Sequence, residues 1–131
     1  MQPFSRQPRR EIGKQHKIYF LDLGVRSAPI GDFNAPILRA DRGALWENFL
    51  IVERLKTWCN QGLTVQNRFG RTYSGAEVDY IEEAGAGDLR AYELKWGNAR
   101  LGRSAESFKD SYGVGVTLVN QENYLDFLLP G

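Results

Sequence analysis

Asp79, Glu93 and Lys95 are the residues of this sequence whose types and spacing best suit chemistry. Asp79 sits in a run from Gly75 to Ile81, and Glu93 and Lys95 in a run from Leu89 to Trp96, with a glycine-rich segment between them. Both runs alternate as strands do: Val78, Tyr80, Tyr92, Leu94 and Trp96 mark an apolar face, and Glu77, Asp79, Glu93 and Lys95 a charged one. If Gly85, Ala86 and Gly87 form a three-residue turn with a glycine in the left-handed region, Asp79 faces Glu93 and Glu77 faces Lys95. Opposed carboxylates destabilise an antiparallel ladder by up to ~1 kcal/mol. A sequence that keeps such a pair has either splayed its strands or placed a cation between the acids.

Two acids beside a lysine form a device for cutting phosphodiesters. Mg²⁺ (or Mn²⁺) takes a few carboxylate oxygens and keeps several waters, and a bound metal polarises phosphate and acidifies water. Asp79 and Glu93 are the expected metal ligands. Lys95, two residues beyond Glu93 and on the same face, would orient or activate water or stabilise developing negative charge. Carboxylate neighbours oppose the depressed pKa that a neutral lysine base requires, which favours charge stabilisation.

The elements that must position these groups follow from pattern. Asp41 is the expected N-cap of a helix running to about Asn60, with Gly62 as its stop. Leu45, Phe49, Val52, Leu55 and Cys59 share one face, and Trp46, Leu50, Ile51 and Trp58 extend apolar character round much of the rest, so Cys59 reads as a core residue. Glu47 and Glu53 are the acids of that helix; Glu47 shares a side with Arg54, and a surface ion pair is the simplest reading of the two. Ile18 to Leu21 reads as a short strand, followed by a helical turn and loop. Leu63 to Phe69 reads as another strand. After Trp96, Ser104 would cap a helix to about Tyr112, with Phe108 and Tyr112 in the core. Val114 to Val119 reads as a buried strand, and Tyr124 to Leu129 as an apolar segment of open type. The expected core is helix, three antiparallel strands, crossover helix and a final parallel strand.

With 131 residues, 42% of them hydrophobic, the chain suits one domain. A basic N-terminal arm or linker, 1–17, would precede the domain at 18–131. The arm carries Arg6, Arg9, Arg10, Lys14 and Lys17, and reads as solvated or as a phosphate contact; His16 reads as a surface residue. A net charge of +1 gives no global case for nucleic acid. One Cys and one His exclude finger-type zinc sites and a disulfide framework. With no long apolar run and no apolar leader, a cytoplasmic location is expected.

Asp79, Glu93-Leu94-Lys95 and a preceding helix bearing Glu47 resemble the PD-(D/E)XK nuclease superfamily. The proline before the first acid is replaced here by Val78. A wider set of motifs, Pro3 to Arg6, Lys17 to Gly24, Gly43 to Asn48, Ser74 to Asp79 and Tyr92 to Lys95, is similar to the C-terminal domain of unknown function that follows a P-loop ATPase module in bacterial and archaeal AAA-type proteins. The resemblance covers nearly the whole chain. It implies a restriction-endonuclease-like α/β fold with an αβββαβ core, a mixed central sheet flanked by helices. It also implies catalytic roles for Glu47, Asp79, Glu93 and Lys95, with Glu47 joining Asp79 and Glu93 on the metal. An ATPase domain in the same or a neighbouring chain is the implied partner, since no phosphate-binding Gly-x-x-x-x-Gly-Lys-Ser/Thr stretch occurs in these residues. DNA is the expected substrate, with Arg39, Arg42, Arg68, Arg71, Arg100 and Arg103 as candidate phosphate contacts. A catalytically silent binding or regulatory module of the ATPase is the alternative.

Overall fold

The computed structural model of the chain describes residues 1–4, 16–71, 77–85 and 87–130. Arg6, Arg9, Arg10 and Lys14 of the arm, Ser74 to Ala76 and Ala86 lie outside the described residues, as does the side chain of Arg71.

Three consecutive strands form the centre: β2 (Gln66–Arg71), β3 (Glu77–Glu83) and β4 (Leu89–Leu94). They follow a long helix, α2 (Arg42–Asn60), and precede α3 (Arg103–Tyr112) and β5 (Val116–Val119). This is the expected αβββαβ order. β2 and β3 are antiparallel, as are β3 and β4, and β5 joins β4 in parallel after the α3 crossover.

Two elements depart from expectation. β1 (Gln2–Phe4) lies within the segment read as an arm and adds a parallel edge strand beside β2, giving a five-stranded sheet in sequence order. Ile18 to Leu21 belongs to no strand. There Lys17 and Tyr19 are half-buried while Ile18 and Phe20 are exposed, so the polar side chains turn inward and the apolar ones outward. A short helix, α1 (Leu23–Ser27), and a 3-10 turn (Pro36–Leu38) follow, and α4 (Tyr124–Leu128) closes the fold.

Helices cover both faces of the sheet. On one, Trp46, Leu50 and Ile51 of α2 and Phe127 and Leu128 of α4 pack on Tyr80, Leu94 and Val119. On the other, Phe108 of α3 and Phe4 pack with Val78, Ile81 and Ala91. Val78 and Ile81 share a cluster although they are three residues apart, which regular alternation forbids. The reason is a bulge: Arg68 pairs with Ile81 but Gly70 with Val78, so Asp79 and Tyr80 together oppose Phe69. Val78 therefore leaves the face of Tyr80 and Leu94 on which its alternation placed it.

α2 ends as its glycine dictates. Gly62 takes a positive φ of 68°, and Gly62 and Leu63 donate to the Cys59 and Trp58 carbonyls. Asp41 is the N-cap, as expected, and its carbonyl accepts the Leu45 N–H at 3.0 Å, but its carboxylate makes no capping hydrogen bond and is held by Arg26 and Arg39. Gly102, not Ser104, occupies the N-cap of α3. Cys59 is exposed; the buried residues of α2 end at Arg54. No helix among the described residues is long and apolar enough to cross a membrane.

Candidate functional site

The hairpin register is the one its loop implies. Gly85 and Gly87 both adopt positive φ, 71° and 93°, and Tyr80 pairs with Tyr92, Ile81 with Ala91, Glu82 with Arg90 and Glu83 with Leu89. Continued by one step, this ladder would set Asp79 against Glu93. The paired residues stop at Tyr80 and Tyr92, so the strands part where the two acids would meet. The Asp79 Oδ2 instead accepts the Leu94 N–H at 2.9 Å, and the Lys95 N–H turns to the Val119 carbonyl of β5 at 2.9 Å.

Lys95 joins the acids. Its Nζ lies 3.5 Å from the Asp79 Oδ2 and 3.3 Å from the Glu93 Oε1. Asp79 and Glu93 are buried, whereas Lys95 is half-buried, with 38% of its side chain exposed. Burial pulls the Lys95 pKa down, but the Asp79 and Glu93 carboxylates outweigh it and raise it above the ordinary lysine value. The ammonium stays charged at neutral pH, as a charge-stabilising role requires.

A second lysine, which sequence reasoning assigned to the arm, completes the cluster. Lys17 Nζ contacts the Glu47 Oε1 at 3.3 Å, pairs closely with Glu77, and stands 4.0 Å from the Asp79 Oδ1. It also lies over the Phe69 ring, 5.2 Å from the centroid. Burial lowers its pKa, and Glu47, Glu77 and Asp79 together raise it above the ordinary value. Tyr19 donates its hydroxyl to the same Glu47 oxygen at 2.5 Å; burial, with Glu47 beside it, pushes its pKa far up. The segment is pinned by Asn48 of α2, a buried amide whose Oδ1 accepts the Phe20 N–H at 2.9 Å and whose Nδ2 donates to the Phe20 carbonyl at 2.7 Å. The available signal for Lys17 and Tyr19 was their period-2 spacing, which places both on one side of an extended segment.

Glu47 therefore pairs with Lys17 and Tyr19 and not with Arg54, which is buried against Glu82. Glu77 pairs with Lys17, and no Glu77 to Lys95 ion pair occurs among the described residues. Arg39 is not placed to meet phosphate: it is buried and donates to Asp41, the Ser27 hydroxyl and the Asp32 carbonyl. Arg42 is exposed and donates to the Ile37 carbonyl. Arg68, at the β2 edge of the bulge, donates to Gln66, and Arg100 and Arg103 are exposed on the segment that follows Lys95.

The donor set is all oxygen, which suits a hard cation. The Glu93 Oε2 is buried without a hydrogen-bond partner among the described residues, so it retains acceptor capacity. Asp79 and Glu93 thus fit, as a pair, a cation that keeps most of its waters. No group of three or more Asp, Glu, His or Cys side chains among the described residues converges closely enough to cage a metal, and Glu47 reaches Asp79 only through Lys17.

A family model described as Domain of unknown function (DUF4143) matches residues 42–127. The match takes in Glu47, Asp79, Glu93 and Lys95, while Lys17 and Tyr19 precede it. No curated protein and no solved structure matches the chain.

Proposed function

The chain belongs to the family described as Domain of unknown function (DUF4143), and from its site we propose a metal-dependent nuclease domain that hydrolyses DNA phosphodiesters. The observation that carries this reading is the meeting of Asp79 and Glu93 on the Lys95 ammonium where β3 and β4 part. The αβββαβ order agrees with the restriction-endonuclease-like core, which is part of the same proposal.

In this reading Asp79 and Glu93 hold Mg²⁺ or Mn²⁺. The Leu94 N–H fixes Asp79 through Oδ2, and Oδ1 lies on the Lys17 side, 4.0 Å from its Nζ. When bound, the metal supplies Lewis-acid polarisation of a phosphate oxygen and a more acidic water. Lys95 stabilises the negative charge that develops on the phosphate. Glu47, oriented by Tyr19, stands behind Lys17 as a further acid, and Arg100 and Arg103 are the exposed cations offered to the DNA backbone.

The test is cleavage of supercoiled, linear duplex and single-stranded DNA with Mg²⁺ or Mn²⁺ by the wild type, Asp79→Ala and Lys95→Ala. Each substitution is expected to lower the metal-dependent rate by about a hundredfold or more. Equal behaviour of all three proteins on every substrate sinks the reading.

A second reading has its own observation. Ile18, Leu21, Val25, Ile30, Phe33, Ile37 and Leu38 are all exposed, an apolar content that suits a protein partner. A catalytically silent regulatory module seated on an ATPase domain accommodates it. Metal affinity weaker than millimolar, together with tight binding to such a domain, favours this reading over the first.

A further inference from the structure

We propose that Lys17 is the resident cation of the acidic site and that a divalent ion entering it must displace the Lys17 ammonium. The inference rests on the metal-site reading above. Its observation is separate: one Nζ lies within 4.0 Å of carboxylates from two elements, Glu47 of α2 and Glu77 and Asp79 of β3. Lys17 thus occupies the space between three acids, where a cation would be attracted.

Charge favours an exchange. Glu47, Glu77, Asp79 and Glu93 are four acids against the two ammonium groups of Lys17 and Lys95, so the cluster remains acidic with both lysines in place. A dication and the Lys17 ammonium repel at contact distance and compete for the Asp79 Oδ1. Only the side chain need move. The backbone is tied on both sides, by the Asn48 bracket on Phe20 and by the exchange of hydrogen bonds between the Met1 and Lys17 main chains. The four-carbon stem gives the ammonium an exit while those ties hold.

The experiment measures Mn²⁺ affinity by calorimetry for the wild type, Lys17→Gln and Lys17→Arg. Lys17→Gln is expected to bind Mn²⁺ roughly tenfold more tightly than the wild type, and Lys17→Arg, which keeps the charge, to bind as the wild type does. A purely structural lysine would not tighten metal binding when lost. Equal or weaker binding by a folded Lys17→Gln overturns the proposal. Should that variant not fold, the wild type alone decides: reductive methylation of Lys17, followed by peptide mass mapping, is expected to accelerate when Mg²⁺ is added, and an unchanged rate overturns the proposal. The nuclease reading fails separately. Tightened Mn²⁺ binding without DNA cleavage leaves the role of Lys17 standing and removes the nuclease, whereas cleavage with equal Mn²⁺ affinities does the reverse.

Discussion

Arg54 is 1% exposed and Glu82 fully buried, and the two form a bidentate pair at 2.6 and 2.9 Å. The guanidinium lies 4.4 Å from the Trp58 ring centroid and 4.7 Å from that of Phe127, and it also donates to the Phe127 carbonyl. Trp58 gives its indole N–H to Glu82 at 2.7 Å. One charged residue thus holds α2, β3 and α4 together. Removing one partner of a buried pair leaves the other charge uncompensated, so Glu82→Leu is expected to cost ~3–5 kcal/mol. The double change Arg54→Met with Glu82→Leu should recover most of that loss, because apolar side chains of similar volume replace a buried pair at little cost. Urea unfolding of the three proteins checks this; a single variant no less stable than the double one would contradict it. Arg54 also completes the helix stripe of Trp46, Leu50 and Ile51. The neighbouring stripe is buried at Leu45 and Val52, as its apolar spacing suggested, but ends in an exposed Cys59.

The β3 bulge decides which side chains reach the site. It turns Val78 to the α3 side with Ile81, and it sets Asp79 at the point where β3 leaves β4. Gly70 makes this geometry possible. A Cβ there would lie 2.9 Å from the Ile81 Cδ1, 3.1 Å from the Phe108 Cε2 and 3.2 Å from the Val78 Cβ. Gly70→Ala should therefore cost ~1–3 kcal/mol by overpacking. Adding Ile81→Val, which deletes the nearest of those atoms, should restore part of the loss in thermal melts. No gain in the double variant would show that β2 accommodates the methyl by shifting. The hairpin turn and its register were legible because Gly85 and Gly87 act locally. The bulge was not, since it is defined against β2 by Gly70 and a packed Phe108 contributed from α3.

Across the molecule, the excursion from Asp22 to Asp41 is drawn together at the start of α2 by the Asp41 carboxylate. Arg26 Nη1 meets the Asp41 Oδ2 at 2.6 Å, and Arg39 takes both Asp41 oxygens at 2.8 and 2.9 Å. The Arg39 and Arg26 hydrogen bonds hold the Asp41 carboxyl well below the usual carboxylate range. A depressed folded-state pKa stabilises above the unfolded value, about 3.9, and that contribution is lost as pH falls from there through the folded value. Asp41→Asn should therefore melt lower than the wild type at pH 7, and the gap should narrow at pH 3. A gap that is the same at both pH values would contradict the assignment.

Taken alone, the amino-acid sequence determined the αβββαβ order, the ends of α2, the register of the hairpin and the acids and lysine that cluster at its open end. These follow from period, glycine placement and charge along short stretches, which are local properties of the chain. Tertiary structure alone decided that Gln2–Phe4 completes the sheet, that Arg39 and Arg54 are consumed by internal partners, that Cys59 is exposed and that Lys17 and Tyr19 face the acids. Each depends on a partner distant in sequence, and periodicity describes a side chain without saying what lies opposite it. Glu77 and Lys17 meet because β3 pairs with β2, β2 pairs with β1, and Met1 just before β1 exchanges hydrogen bonds with Lys17.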